Sequence, residues 1–360
     1  MIGIIIAFGL GLALSNGLTP VFIKWLVAHH YGQFIRQDGP TQHLTKRGTP
    51  TMGGVVFITS TVIAWLCGMV VNGGPTWSGV LLGFLFVGLG FIGLLDDGIK
   101  IMRQRSLGLH AGAKMIGQLA VASVFGFAAL TIPDENGTTP ASMQIMVTAD
   151  LTLSLAFAGL VVGVILFVLW ANFLIAAWSN AVNLTDGLDG LAAGASIFFF
   201  TAYTFVTFFQ QLQSCGGSTL NVQACYPTRD PLDLAVFCAA LVGSLAGFLW
   251  WNASPAQIFM GDTGSLALGG AVAGVSILTN TEFFAVVMGG LFVITTMSVV
   301  IQVGFFKLTR RRIFLMAPIH HHFEQKGWKE ITIVIRFWLI AALFAVLGAA
   351  LFYAEWVSRL

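Results

Sequence analysis

Apolar runs, each about as long as a helix needs to cross a bilayer, take up most of this chain. Windows of about 20 residues place ten of them near 2–27, 52–71, 77–95, 112–132, 155–178, 188–210, 232–251, 264–280, 283–306 and 333–356. Charged residues make up 9% and hydrophobic residues 57%, with mean hydropathy +0.87. Soluble domains carry about 25% charge, so a water-soluble fold is excluded. Backbone polar groups in lipid must be paired within each segment, which leaves helices or a closed barrel. Runs this long and apolar specify helices. The expectation is an all-α polytopic membrane protein of about ten helices, with residues 1–360 forming a single transmembrane domain. The first run lacks a basic leader and a small-residue cleavage site, so it is read as a retained span.

Orientation follows from Lys and Arg. Loops 28–51, 96–111, 179–187, 252–263 and 307–332 alternate onto one side. Of 17 Lys and Arg, all but Arg229 and Arg359 lie on that side or at its span ends. That side is expected to be cytoplasmic, with both termini outside. A net charge of +2 makes no case for nucleic acid, and none is expected as a partner.

The polar residues that remain fall in a few clusters on the basic side. Asn180, Asn183, Asp186 and Asp189 recur every three residues between two apolar runs, where unpaired polar groups are costly. They either share a helix face or form an Asn/Asp/Gly turn. Lys46 and Arg47 precede a Gly-Thr-Pro-Thr turn, suited either to phosphate at a helix start or to setting topology. Asp96 and Asp97 are adjacent acids at a span end. They call for a divalent cation, a lysine or a proton to relieve their repulsion. Asp262, flanked by Gly261 and followed by Gly264, sits at the mouth of a span with Phe259 nearby. It can hold a metal, face a stacked base or cap the helix. His320, His321 and His322 follow Pro318. They suit phosphate oxygens, or zinc without the usual spacing or a Cys partner.

Two cysteines, Cys215 and Cys225, fall in an outer loop where a disulfide is expected. Cys67 and Cys238 lie inside spans and read as packing residues. Loop 133–154 is expected to be a hairpin or an irregular cap. No charge sits mid-span, which argues against ion-coupled transport and for chemistry at the interface.

Thr45-Lys-Arg-Gly-Thr-Pro-Thr-Met-Gly-Gly54, Asp96-Asp97, Asn180 to Gly190, Phe259-Met-Gly-Asp-Thr-Gly-Ser265 and Ala317-Pro-Ile-His-His-His-Phe-Glu324 occur in an order that resembles one family. It is the phospho-N-acetylmuramoyl-pentapeptide transferases, within the polyprenyl-phosphate N-acetylhexosamine-1-phosphate transferases. The resemblance covers nearly the whole chain and implies a ten-span fold in a bacterial plasma membrane. It implies transfer of phospho-MurNAc-pentapeptide from UDP-MurNAc-pentapeptide to undecaprenyl phosphate, giving lipid I and UMP, with Mg²⁺. It makes Asp262 the Mg²⁺ ligand, Asp96 and Asp97 the pair at the lipid phosphate, and Lys46 a neutraliser of phosphate or of Asp96. It places Asn180, Asn183, Asp186, Gly187, Leu188, Asp189 and Phe259 in the nucleoside region. His320, His321 and His322 fall on the sugar and pyrophosphate side, with His321 catalytic, and Asn252 and Gln302 are polar positions near the site. A second copy of the chain is kept as a candidate partner. Two alternatives stay open: a sibling transferase moving GlcNAc-1-phosphate to the same lipid, and a multi-span lipid or solute transporter.

Overall fold

The structure, a computed structural model, describes the whole chain except residues 30, 33–47, 104–107, 135–136, 149–150 and 216–223. Its helices in chain order are α1 (Ile2–Ala28), α2 (Gly54–Val70), α3 (Trp77–Met102), α4 (Ala111–Thr131), α5 (Leu160–Thr185), α6 (Leu191–Leu212), α7 (Pro231–Asn252), α8 (Gly261–Leu278), α9 (Glu282–Met288), α10 (Gly290–Thr309), α11 (Ile319–Gln325) and α12 (Glu330–Val357). Between α4 and α5, β1 (Gln144–Thr148) and β2 (Leu151–Ser154) pair antiparallel, with Gln144 opposite Ser154. Among the described residues, nine helices are long and apolar enough to cross a membrane; α2 is apolar but shorter.

Helices α7 and α8 form the centre. They are apolar on every side, as a helix surrounded by other helices must be. From Thr263 to Leu278 every residue of α8 is buried. Around this pair, α7 packs on α1, α2 and α6, while α8 packs on α3 and α5. Large apolar side chains are exposed along α1, α4, α5, α10 and α12, for example Phe127, Phe173, Val300 and Leu343. Those outward faces match a hydrocarbon surround.

Two expectations are corrected. The third run does not end at residue 95: α3 continues to Met102, so Asp96 and Asp97 lie inside the helix. The ninth run is not continuous. It breaks at Gly289 into α9 and α10, where a Cβ on Gly289 would meet the Trp178 ring at 2.6 Å and one on Gly290 the Phe344 ring at 2.5 Å. Paired glycines are a recognised cause of such breaks. Among the described residues the fold is all-helical apart from residues 144–154, where the outer loop forms the small hairpin that was one of its two expected forms.

At the end of the bundle away from Asp96, the α6–α7 connection is clasped to α12. Cys215 and Cys225 form a disulfide. Trp356 Nε1 donates to the Ala224 carbonyl at 2.9 Å, and Phe209, Tyr226, Phe352 and Trp356 pack ring on ring. Cys238 is buried as expected, whereas Cys67 is on an exposed face.

Candidate active site

The last turns of α3 and the first turn of α8 meet at van der Waals range because Gly93 has no side chain. A Cβ there would lie 2.1 Å from the Asp262 carbonyl oxygen. The chain enters α8 through Gly261 at φ +73°, where a Cβ would meet Asp97 Oδ2 at 2.4 Å. That oxygen instead accepts the Thr263 N–H at 2.9 Å and the Thr263 hydroxyl at 2.8 Å. Asp97 thus satisfies donors left open at the α8 N-terminus. Asp96 Oδ1 accepts the Leu109 N–H at 2.8 Å. Asp262 Oδ1 accepts Asn183 Nδ2 at 2.7 Å, and the same amide reaches Ser265 Oγ at 2.8 Å.

Three carboxylates so close repel one another strongly in a half-dry setting. Two lysines compensate. Lys100 Nζ lies 2.6 Å from Asp96 Oδ2, 3.4 Å from Asp97 Oδ1 and 2.8 Å from Asp262 Oδ2. Lys114 Nζ lies 2.9 Å from Asp262 Oδ2. Asp96, Asp97 and Asp262 each offer one oxygen, all within 4.8 Å of one another. Hard oxygen donors at this spacing, already gathered around a cationic group, fit a divalent cation of the Mg²⁺ kind.

A second set of contacts fixes the loop that carries Phe259. Phe259 N–H donates to Pro50 O at 2.8 Å, Gly53 N–H to Phe259 O at 2.8 Å, and Gly54 N–H to Met260 O at 2.9 Å. This short strand-like pairing docks the Gly-Thr-Pro-Thr segment against the Asp262 turn. Lys46, just upstream, lies outside the described residues. Asn252 Nδ2 donates to Ile258 O at 2.8 Å. Asp189 Oδ2 accepts the Ala256 N–H at 3.0 Å, while the Asp189 N–H donates to Glu330 Oε1 at 2.9 Å. Asn252 and Asp189 therefore brace the loop from behind.

The Asn180–Asp189 residues divide between helix and turn. Helix α5 runs to Thr185, so Asn180 and Asn183 are helical. Asn183 reaches Asp262, whereas Asn180 is exposed and turns back to Ala176 O at 2.7 Å. Asp186 ends α5. Burial, then the charges of Asp262, Asp97 and Asp189, pushes its carboxyl well above the ordinary range. Leu188 is buried. Gly187 presses on His320: a Cβ would meet Nε2 at 2.3 Å.

The histidines occupy one short helix, α11, where consecutive side chains point in different directions. His320 is buried against Gly187, with its ring centroid 4.3 Å from that of His321. His321 Nδ1 pairs with Glu324 Oε2 at 2.5 Å. His322 Nδ1 accepts the Leu315 N–H at 3.1 Å; loss of water and nearby Lys326 lower this imidazole's affinity for a proton. Gln302 folds the 310–318 loop back onto α10, accepting from Ile313 N–H at 3.1 Å and Phe314 N–H at 2.9 Å and donating to Phe314 O at 3.1 Å.

Lys100, Lys114, Thr263, Glu324 and Glu330 are participants that the sequence reading did not single out. Lys100 had a usable signal, since it stands four residues after Asp96 and three after Asp97, the spacing of helical ion pairs. Lys114, Thr263 and Glu330 meet their partners only through tertiary packing.

A profile of glycosyl transferase family 4 matches residues 77–280, and the phospho-N-acetylmuramoyl-pentapeptide-transferase signature 1 matches residues 46–58. A curated phospho-N-acetylmuramoyl-pentapeptide-transferase of Beutenbergia cavernae is 62% identical over 99% of both chains. That of Paenarthrobacter aurescens is 55% identical over 100% of both, and that of Streptomyces griseus 53% over 99% of both. The chain belongs to the phospho-N-acetylmuramoyl-pentapeptide-transferase family. The transferase signature covers the segment docked against the Asp262 turn, and the broader profile includes Asp96, Asp97, Asn183 and Asp262. The transferase histidines on α11 lie beyond that profile.

Proposed function

We propose that this protein transfers phospho-MurNAc-pentapeptide from UDP-MurNAc-pentapeptide to undecaprenyl phosphate, releasing UMP and leaving lipid I in a bacterial plasma membrane. The observation that carries the reading is the convergence of Asp96, Asp97, Asp262, Lys100 and Lys114 in a chain of this family. An oxygen of the lipid phosphate attacks the sugar-bearing phosphorus of the UDP donor; the pyrophosphate bridge breaks and UMP departs. Such transfers depend chiefly on positioning and on charge compensation. Mg²⁺, held by Asp262 with Asp96 and Asp97 beside it, would neutralise the pyrophosphate. Lys100 and Lys114 add positive charge facing the same anion. Asp96 holds the lipid phosphate in line or takes its proton, a contribution of about 10²–10⁴-fold for a general base. The Asp186–Asp189 turn, Asn183 and Phe259 form the nucleoside side. His321, oriented through Glu324, faces the sugar and pyrophosphate, while His320, buried against Gly187, and His322, which accepts the Leu315 N–H, hold the short helix that presents it.

The excess of Lys and Arg in the loops at this end of the bundle supports a cytoplasmic site, where the soluble nucleotide and the lipid head can meet. Cysteines introduced at Gln325 and Thr138 should react from opposite sides of the membrane, Gln325 from the cytoplasm. The deciding assay supplies purified protein with Mg²⁺, undecaprenyl phosphate and either UDP-MurNAc-pentapeptide or UDP-GlcNAc. UMP release with the muramoyl donor alone is the expected result. Release with UDP-GlcNAc alone would favour the sibling activity, and no release with either would favour a transporter.

A further inference from the structure

The six oxygens of Asp96, Asp97 and Asp262 divide into two sets. Asp96 Oδ1, Asp97 Oδ2 and Asp262 Oδ1 are committed to Leu109 N–H, to Thr263 N–H and hydroxyl, and to the Asn183 amide. All these donors belong to the fold. The other three, Asp96 Oδ2, Asp97 Oδ1 and Asp262 Oδ2, all face the Lys100 ammonium, at 2.6, 3.4 and 2.8 Å. A divalent cation sits about 2.0–2.1 Å from its oxygens if it is Mg²⁺. An ammonium and a divalent cation drawing on the same three oxygens would stand only a few ångströms apart, where like charges repel strongly. Lys100 has a flexible four-carbon stem and three rotatable donors, so it can leave without disturbing α3. Its side chain is also the most solvent-accessible of the cluster, at 30% exposure against 4% for Asp96, 3% for Asp97, 17% for Asp262 and 20% for Lys114.

We propose that Lys100 is the built-in competitor of the divalent cation: it holds the three uncommitted carboxylate oxygens, and the arriving cation drives it off them. The displaced ammonium is then free to pair with a substrate phosphate, so metal and nucleotide binding reinforce each other. This rests on the proposed use of a divalent cation. Lys114 differs, because it touches only Asp262 Oδ2 within the triad and shares that oxygen with Lys100.

The test is Mn²⁺ binding followed by electron paramagnetic resonance in wild type, Lys100→Met and Arg103→Met. Arg103 is one turn further on and exposed, so it reports the effect of removing nearby charge without a competitor. Lys100→Met should bind Mn²⁺ roughly tenfold or more tightly than wild type, from lost contact repulsion, while its turnover falls. Arg103→Met should gain less than about threefold, because salt screens an exposed charge. A second measurement uses wild type alone. Mg²⁺ should raise amine-reagent modification of Lys100 relative to exposed Lys307, read by mass spectrometry. Unchanged or weaker Mn²⁺ binding in Lys100→Met, an equal gain in Arg103→Met, or unchanged or reduced Lys100 modification on adding Mg²⁺ would overturn the proposal. Absence of Mn²⁺ binding in every form would overturn the metal reading and this proposal together.

Discussion

Asp233 and Asp262 are both aspartates in the first turn of a central helix, and they are handled in opposite ways. Asp233, in α7, is buried and met by neutral donors: Trp65 Nε1 at 2.5 Å and the Thr76 N–H and hydroxyl at 2.7 Å each. Asp262, in α8, shares its surroundings with two more carboxylates and two lysines. Roughly 20 residues of α3, about 30 Å of helix, separate Thr76 at one end from Asp97 at the other. The first arrangement ties α2, α3 and α7 together and leaves the carboxylate nothing to do. The second gathers charge whose partners can be exchanged, which is what a phosphoryl-transfer site requires.

The largest expected difference lies between the two aspartates themselves. Asp262→Asn should abolish turnover with little loss of thermal stability, while Asp233→Asn should keep turnover per folded molecule within about twofold and lower stability by about 1–3 kcal/mol as its donors lose their ionic acceptor. Steady-state kinetics and thermal melts in detergent check both; substantial turnover in Asp262→Asn would break the contrast. Asp96→Asn comes next. Its kcat should fall about 10²–10⁴-fold, with UDP-donor binding nearly intact. The residual rate should climb with pH if the lipid phosphate's own second ionisation supplies the nucleophile. An unchanged kcat would remove Asp96 from the proton-acceptor role.

Asp186 gives a smaller, pH-dependent effect. Its folded pKa is raised, so its contribution to stability is present below the unfolded value of about 3.9 and is lost as pH rises through the folded value. Asp186→Asn should therefore gain stability relative to wild type as pH rises across that window. Melting curves showing a pH-independent gap would contradict this. The smallest effect on turnover belongs to the far end of the bundle. Cys215→Ser with Cys225→Ser should leave UMP release within about twofold, while removing a cross-link should lower stability by about 2–3 kcal/mol.

Much of the helical fold was legible from hydropathy, because lipid leaves a chain few choices. The hairpin at 144–154 was legible only as a hairpin or a cap. The break at Gly289 was not, since the surrounding residues are uniformly apolar and Trp178 and Phe344 decide the packing there. The carboxylates of the site stood out as polar groups in an apolar chain. Their lysines did not, because Lys100 and Lys114 also satisfy the charge rule that sets topology. The length of α3 decides whether Lys100 lies over Asp96, and the apolar pattern ends at residue 95 while the helix does not. The bracing roles of Asp189, Asn252 and Gln302 were also hidden, since each depends on a loop backbone that comes near only in the folded chain.

The contrast between the two aspartates is tested most directly by counting Mn²⁺ bound to the purified protein in wild type, Asp262→Asn and Asp233→Asn. The account predicts one tightly bound ion in wild type and in Asp233→Asn, and none in Asp262→Asn. Wild-type binding in Asp262→Asn, or loss of the ion in a folded Asp233→Asn, would contradict it.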